Sequence, residues 1–242
     1  MIDLHSHILP GIDDGARTLN DALAMAEQAY EQGVRHIVCT PHIHLGTFDN
    51  SAQIIEDSFT AFVDEVHKRS LDIKFSYACE MRACAEIIQL VGASALPYLG
   101  HWENKAALLL ELPHSHIPAG IENLISWLIK HQIQPIIPHP ERNREILANY
   151  DKVTWLKKLG VLFQATAGAY TGTFGEAVKI TALNMLNDKL THYVASDMHN
   201  VHRRPNEMRD AYVFLSEEIE QAYVQSLFYD VPEQITSQTS WQ

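Results

Sequence analysis

Short β-branched runs and amphipathic stretches take turns along the chain. Residues 2–5 read as a strand, and residues 19–32, closed by Gly33, carry apolar side chains at helical spacing. Residues 34–40 have the β-branched density of a strand and stop at Pro41-His42. The rhythm repeats as helix 52–69, strand 74–78, a short helix from Ala85, strand 107–112, helix 121–131 and strand 135–138. Helix 151–159, strand 161–165, helix 176–188, strand 192–195 and a long helix over 206–228 complete it. About seven strand-helix units with short links predict a parallel α/β sheet, closed into a barrel. No linker or low-complexity stretch divides the chain, so residues 1–229 are expected to form one domain. Residues 230–242 form a polar tail for which fraying is the default, with Trp241 the residue able to dock.

Composition narrows the class. The chain has 242 residues, 46% of them hydrophobic, enough for one substantial core. Its 18 Lys+Arg against 30 Asp+Glu give a formal charge of −12, which repels phosphate backbones and speaks against nucleic acid as a partner. Any phosphate-binding surface must be local. Three cysteines, Cys39, Cys79 and Cys84, make a disulfide framework a poor expectation and a reducing compartment a good one. A strand starting at residue 2 leaves no room for a secretory leader, and no stretch approaches the ~18 apolar residues of a membrane helix. A soluble, cytoplasmic protein without membrane insertion is expected.

Polar residues interrupt this pattern at the C-terminal ends of the strands. His5 and His7, two apart, share one face of the first strand. His42 follows the second, Glu80 the third, Glu111 ends the fourth, His139 follows the fifth, and Asp197 and His199 follow the seventh. Asp13 or Asp14 adds a carboxylate from the first loop. In a parallel barrel that rim is where side chains from distant positions converge. Nine nitrogen and oxygen ligands without an obligatory thiolate exceed one tetrahedral zinc and suit two or three Mn, Fe or Zn ions bridged by a carboxylate. Glu80 and Glu111 end apolar strands, where a cation is the natural compensation for a buried charge. His36, His67, His101, His131, His192 and His202 read as ordinary polar residues, whereas His44, His114 and His116 lie near the rim and could shape access.

Asp3-Leu4-His5-Ser6-His7, Thr40-Pro41-His42, Glu80, Pro138-His139-Pro140-Glu141-Arg142 and Ser196-Asp197-Met198-His199 resemble the motifs of the PHP (polymerase and histidinol phosphatase) superfamily. Residues 7–15 and His139-Pro140-Glu141-Arg142-Asn143 are similar to the manganese-dependent protein-tyrosine phosphatases of bacterial capsule and exopolysaccharide loci. The resemblance spans residues 2–206. It implies a distorted (β/α)7 barrel holding Mn2+, with one ion on His5, His7, Glu80 and Asp197. A second would sit on Glu80, Glu111 and His139, and a third on Asp14, His42 and His199. It also implies two phosphate-binding arginines, Arg142 and Arg204. Where the family often has Gly-Arg-Pro this chain has Arg203-Arg204-Pro205, which leaves Arg203 as a competing candidate.

Hydrolysis by a metal-activated hydroxide is the expected chemistry, with guanidinium forks on the phosphate. A tyrosyl leaving group, pKa ~10, needs little help from a general acid. The thiol route is absent, because the position six residues after Cys39, Cys79 and Cys84 is Leu45, Ala85 and Leu90 rather than arginine. The implied partner is a phosphotyrosine-bearing protein, an autokinase of polysaccharide synthesis. Competing expectations are a histidinol phosphatase, a phosphodiesterase or nuclease on the same scaffold, or a non-catalytic metal module that docks a membrane kinase.

Overall fold

The computed structural model describes residues 1–69 and 71–242. Among the described residues there are ten strands: β1 (Ile2–Ser6), β2 (His36–Cys39), β3 (His42–Ile43), β4 (Lys74–Tyr77), β5 (Glu80–Arg82), β6 (Gly100–Trp102), β7 (Lys105–Glu111), β8 (Ile133–Pro138), β9 (Leu162–Thr166) and β10 (Tyr193–Ala195). All pair in parallel except β6, a short antiparallel partner of β7. The ladders form two sheets, β1-β2-β4 and β10-β9-β8-β7-β5-β3, rather than the single closed ring expected from the sequence.

The division falls at two kinks. Pro41, with no N–H to donate, separates β2 from β3, and Ala78-Cys79 separates β4 from β5. Backbone bonds carry pairing across the breaks, Ala78 N–H to Cys39 at 2.8 Å and Glu80 N–H to Pro41 at 3.1 Å. At the far side, Ser6 and Met198 form an isolated parallel bridge. Asp197 N–H also donates to His5 O at 2.9 Å, so β1 lies against the end of β10.

Alternation along the strands explains two apolar clusters. Val38, Ala107, Leu109, Ile136, Leu162, Tyr193 and Ala195 belong to an inner cluster drawn from both sheets. Their sequence neighbours Ile37, Leu108, Leu110, Ile137, Phe163 and Val194 pack in the other cluster, beneath the helices. Helix Leu19–Glu31 begins in a capping box of Thr18 and Asp21 and buries Ala22, Leu23, Met25, Ala26 and Ala29; helix Ala52–His67 buries Ile55, Phe59, Phe62, Val63 and Val66.

The last third of the chain departs from expectation. The helix predicted over 206–228 stops at Glu218, because Ile219 is extended, and resumes at Gln221. The tail expected to fray is folded: Val231–Thr236 is helical, and Ile235 is buried in the inner cluster beside Trp102 and Trp241. Gln242 exchanges two backbone bonds with Phe75, and Trp241 lies 4.8 Å from the His36 ring. Gly100 has to be glycine here, since a Cβ would come within 2.1 Å of the Ile235 carbonyl oxygen. Among the described residues no helix is long and apolar enough to cross a membrane.

Candidate metal centre

The end of β1 places two imidazoles side by side. His5 and His7 bring their Nε2 atoms within 3.1 Å of each other. Each is held from behind: His5 Nδ1 donates to Gln164 Oε1 at 2.8 Å and His7 Nδ1 to Asp13 Oδ2 at 2.7 Å. His199 Nδ1 donates to the Asp197 carbonyl at 3.0 Å. With Nδ1 engaged outward, all three present an Nε2 lone pair inward, the tautomer a metal-ligating histidine adopts.

Carboxylates from other strand ends meet these rings. Glu80 Oε2 lies 3.3 Å from Nε2 of both His5 and His7 and 3.0 Å from His42 Nδ1. Its Oε1 accepts from His139 Nε2 at 2.9 Å. Asp197 Oδ1 is 3.4 Å from the same two Nε2 atoms, and Glu111 Oε2 is 3.7 Å from His42 Nδ1. Asp14 Oδ1 stands 3.4 Å from His42 Nε2 and 3.3 Å from His199 Nε2, whereas Asp13 faces the back of His7. Three sets of ligand atoms have mutual distances within 4.8 Å: His5, His7 and Glu80; His42, Glu80 and Glu111; His7, Asp14, His42 and His199. The middle set includes His42; His139, which the resemblance implied there, directs its Nε2 at Glu80 Oε1.

The backbone is bent to deliver two of these groups. His139 and Asp197 have φ of +38° and +51°, a left-handed region that costs a non-glycine residue and persists only when its surroundings enforce it. Asp3 supplies that enforcement at β10: fully buried, it accepts from Ser196 N–H at 2.9 Å and Asn206 Nδ2 at 3.1 Å.

Burial and mutual charge displace the proton affinities in opposite directions. Burial, reinforced by the Glu80 charge, pushes the Glu111 carboxyl up to about 7. Burial alone would lower His42, but the Glu80 carboxylate carries it up to about 10. Burial holds His139 near 3, and burial with the neighbouring His7 charge holds His199 near 4. Glu80 and Asp197 stay well below the usual carboxylate range despite burial, Glu80 through His5 and His42 and Asp197 through Arg204 and His5.

These residues fit divalent cations. Glu80 Oε2, Asp197 Oδ1 and His42 Nδ1 are buried within the cluster and lack hydrogen-bond partners, and Glu111 Oε2 has no hydrogen bond beyond its ion pair with Arg82 Nε at 3.0 Å. Orphaned carboxylate oxygens opposed by imidazole lone pairs form a mixed N/O donor set, the kind Mn, Fe and Zn accept.

Two guanidinium groups border the cluster. Arg142 Nη1 and Arg204 Nη2 each donate to Asp197 Oδ2 at 2.5 Å, and the buried Nε of Arg204 has no partner. Arg203 is exposed and lines no part of the cavity. Arg142 lies 4.4 Å below the Phe174 ring centroid. The cavity, about 140 Å³, is also lined by His44, Phe48, His114 and Arg82, while His116 and the six histidines read as ordinary stay outside it.

Arg82, Gln164 and Asp13's orienting contact escaped the sequence reading. Arg82 Nε sits 3.0 Å from Glu111 Oε2, and its place two residues after Glu80 on one strand was the available signal. Gln164 gave a weaker one, a polar residue inside an apolar strand.

Similar proteins are known. Tyrosine-protein phosphatase YwqE of Bacillus subtilis is 34% identical over 218 residues, covering 90% of this chain and 85% of that protein. Tyrosine-protein phosphatase CpsB of Streptococcus pneumoniae is 29% identical over 243 residues, covering 97% and 98%. Crystal structures of these two proteins describe them as metal-dependent tyrosine phosphatases; a chain from that work gives a TM-score of 0.86 at 32% identity, covering 98% of this chain and 92% of its own. A lactonase from Listeria monocytogenes shares the fold, with a TM-score of 0.55 at 12% identity. Residues 1–237 match the family described as capsular polysaccharide synthesis, CpsB/CapC, and the chain belongs to that family.

Proposed function

We propose that this chain is a metal-dependent tyrosine-protein phosphatase whose centre is built by His5, His7, Asp14, His42, Glu80, Glu111, His139, Asp197 and His199. The observation that carries the reading is the convergence of buried carboxylate oxygens without hydrogen-bond partners and imidazole nitrogens within 4.8 Å of one another, beside two guanidinium groups. Two or three ions fit that donor set, and manganese is chosen ahead of iron or zinc on the resemblance to manganese-dependent phosphatases. When bound they supply neutralisation of phosphoryl charge and an acidified water.

The protein's own groups do the positioning. Asp197 divides its carboxylate, Oδ1 toward His5 and His7 and Oδ2 toward Arg142 and Arg204, so one side chain registers the phosphate clamp against the metal ligands. The arginines retain further N–H donors for phosphoryl oxygens. Phe174 over the Arg142 guanidinium restrains its plane. Because tyrosinate leaves readily, pKa ~10, charge stabilisation suffices without a dedicated general acid.

The two sheets are read as one distorted (β/α)7 barrel spanning residues 1–229, with 230–242 appended. The inner cluster shared by both sheets and the Ser6–Met198 bridge support this. The substrate in this reading is a phosphotyrosine segment of a polysaccharide-synthesis autokinase in the cytoplasm, in keeping with the family. Turnover of a phosphotyrosine peptide, histidinol phosphate and a phosphodiester by the manganese-loaded protein tests the assignment. The peptide is expected to be preferred by at least about a hundredfold, a ratio that differential transition-state binding readily supplies. A preference for the diester or for histidinol phosphate would overturn it.

A further inference from the structure

A second opening, about 410 Å³, has lining residues that adjoin those of the candidate catalytic cavity along the chain. Ala83 and Ile88 come from the stretch after β5, and Pro118, Leu124 and Trp127 from the loop and helix around Ile121–Lys130; besides the Trp127 indole, the polar side chains in the lining are Asn123 and the Cys84 thiol. Ile88 is 44% exposed, unusual for an isoleucine with apolar neighbours at hand.

The two openings are continuous along the chain. Ala83 directly follows Arg82, and Pro118 comes four residues after His114; Arg82 and His114 both line the catalytic cavity. Ala83 N–H donates to Glu111 O at 2.9 Å, tying the groove to the strand end that carries a metal-centre carboxylate. Residues 113–117 connect the two linings along the chain. They are pinned by Asn143 Nδ2, which donates to the carbonyls of Pro113 at 2.8 Å and His116 at 3.1 Å, and by Glu145, which accepts from Ile117 N–H at 2.8 Å.

We propose that this groove receives an aliphatic or aromatic side chain of the phosphotyrosine-bearing segment, two to four residues from the phosphotyrosine, and so selects which phosphotyrosines are hydrolysed. The proposal rests on the phosphatase reading above. The catalytic cavity, charged and built around the phosphate, has little with which to read sequence. The groove does, because it exchanges water for apolar contact. Two to four extended residues reach about 7 to 14 Å, which lets a segment with its phosphotyrosine beside Arg82 set a neighbouring side chain beside Ala83, the next residue in the chain.

The manganese-loaded protein is assayed on phosphotyrosine peptides in which leucine replaces alanine at each position from four before to four after the phosphotyrosine, with p-nitrophenyl phosphate as a sequence-free substrate. Leucine at one position within the two-to-four window is expected to raise kcat/KM about tenfold, mainly through KM. Ile88→Asp and, independently, the groove-filling Ala119→Trp are expected to remove that preference while leaving p-nitrophenyl phosphate hydrolysis unchanged. Absence of any positional preference, or its survival in both variants, overturns the proposal. So does a concentration-dependent dimer in light scattering that Ile88→Asp disperses, since a second copy would then own the groove. No hydrolysis of p-nitrophenyl phosphate by the metal-loaded protein would instead remove the phosphatase reading itself.

Discussion

Asp13 accepts from His7 Nδ1 at 2.7 Å, whereas Asp14, one residue on, faces His42 and His199. Nothing in Asp-Asp-Gly distinguishes the two in the sequence, because which carboxylate turns inward depends on how the loop folds back over β3. Asp13 Oδ2 also accepts from His42 N–H at 3.2 Å, fixing the loop to the second strand end. Asp13→Ala is therefore expected to weaken manganese binding by about 10- to 100-fold without deleting a ligand. Calorimetric titration of the metal-stripped protein measures this, and unchanged affinity would contradict the orienting role. Glu141 carries a different prediction. It is buried, accepts from Thr166 N–H at 2.8 Å through Oε1, leaves Oε2 without a partner, and is pushed by burial from its ordinary 4.5 up to about 7. The folded form holds this proton more tightly than the unfolded chain does. The associated stability is full below about 4.5 and is lost, by about 3 kcal/mol, as pH rises through about 7. Glu141→Gln should flatten that part of the pH profile, read as the difference in urea midpoint between pH 5 and pH 8.

At the scale of the element, legibility followed the period-two pattern. Ala107, Leu109 and Glu111 share one face of β7, and Tyr193, Ala195 and Asp197 continue one another at β10, so the inner apolar face runs directly into the candidate ligands. That is why the strands and the ligand-bearing ends could be read from residue spacing. Features set by tertiary contact could not. Ile219 breaks its helix with no glycine or proline to announce it, and β6, paired with β7, begins at Gly100, where only a residue without a Cβ fits under the Ile235 carbonyl. The tail looked polar because its apolar content is sparse, yet Ile235 is fully buried among residues of both sheets. Ile235→Ala is expected to cost about 2–5 kcal/mol. Denaturant unfolding measures the loss, and a change below about 0.5 kcal/mol, typical of a surface substitution, would mean the tail only rests on the fold.

Over the whole molecule, a formal charge of −12 has to coexist with a phosphate site. The positive side chains at the cavity, Arg82, Arg142 and Arg204, each pair with a centre carboxylate, Glu111 or Asp197, and so offset part of that charge locally. The remaining carboxylates need cations before a phosphate dianion can be accommodated. Metal dependence thus follows from electrostatics as well as from the donor set, and it is the claim on which the functional reading stands. Its most direct test is the rate of p-nitrophenyl phosphate hydrolysis after exhaustive chelation, followed by graded addition of manganese. Hydrolysis should vanish with the chelator and return with the metal, while turnover that persists at its full rate in excess chelator would contradict the account.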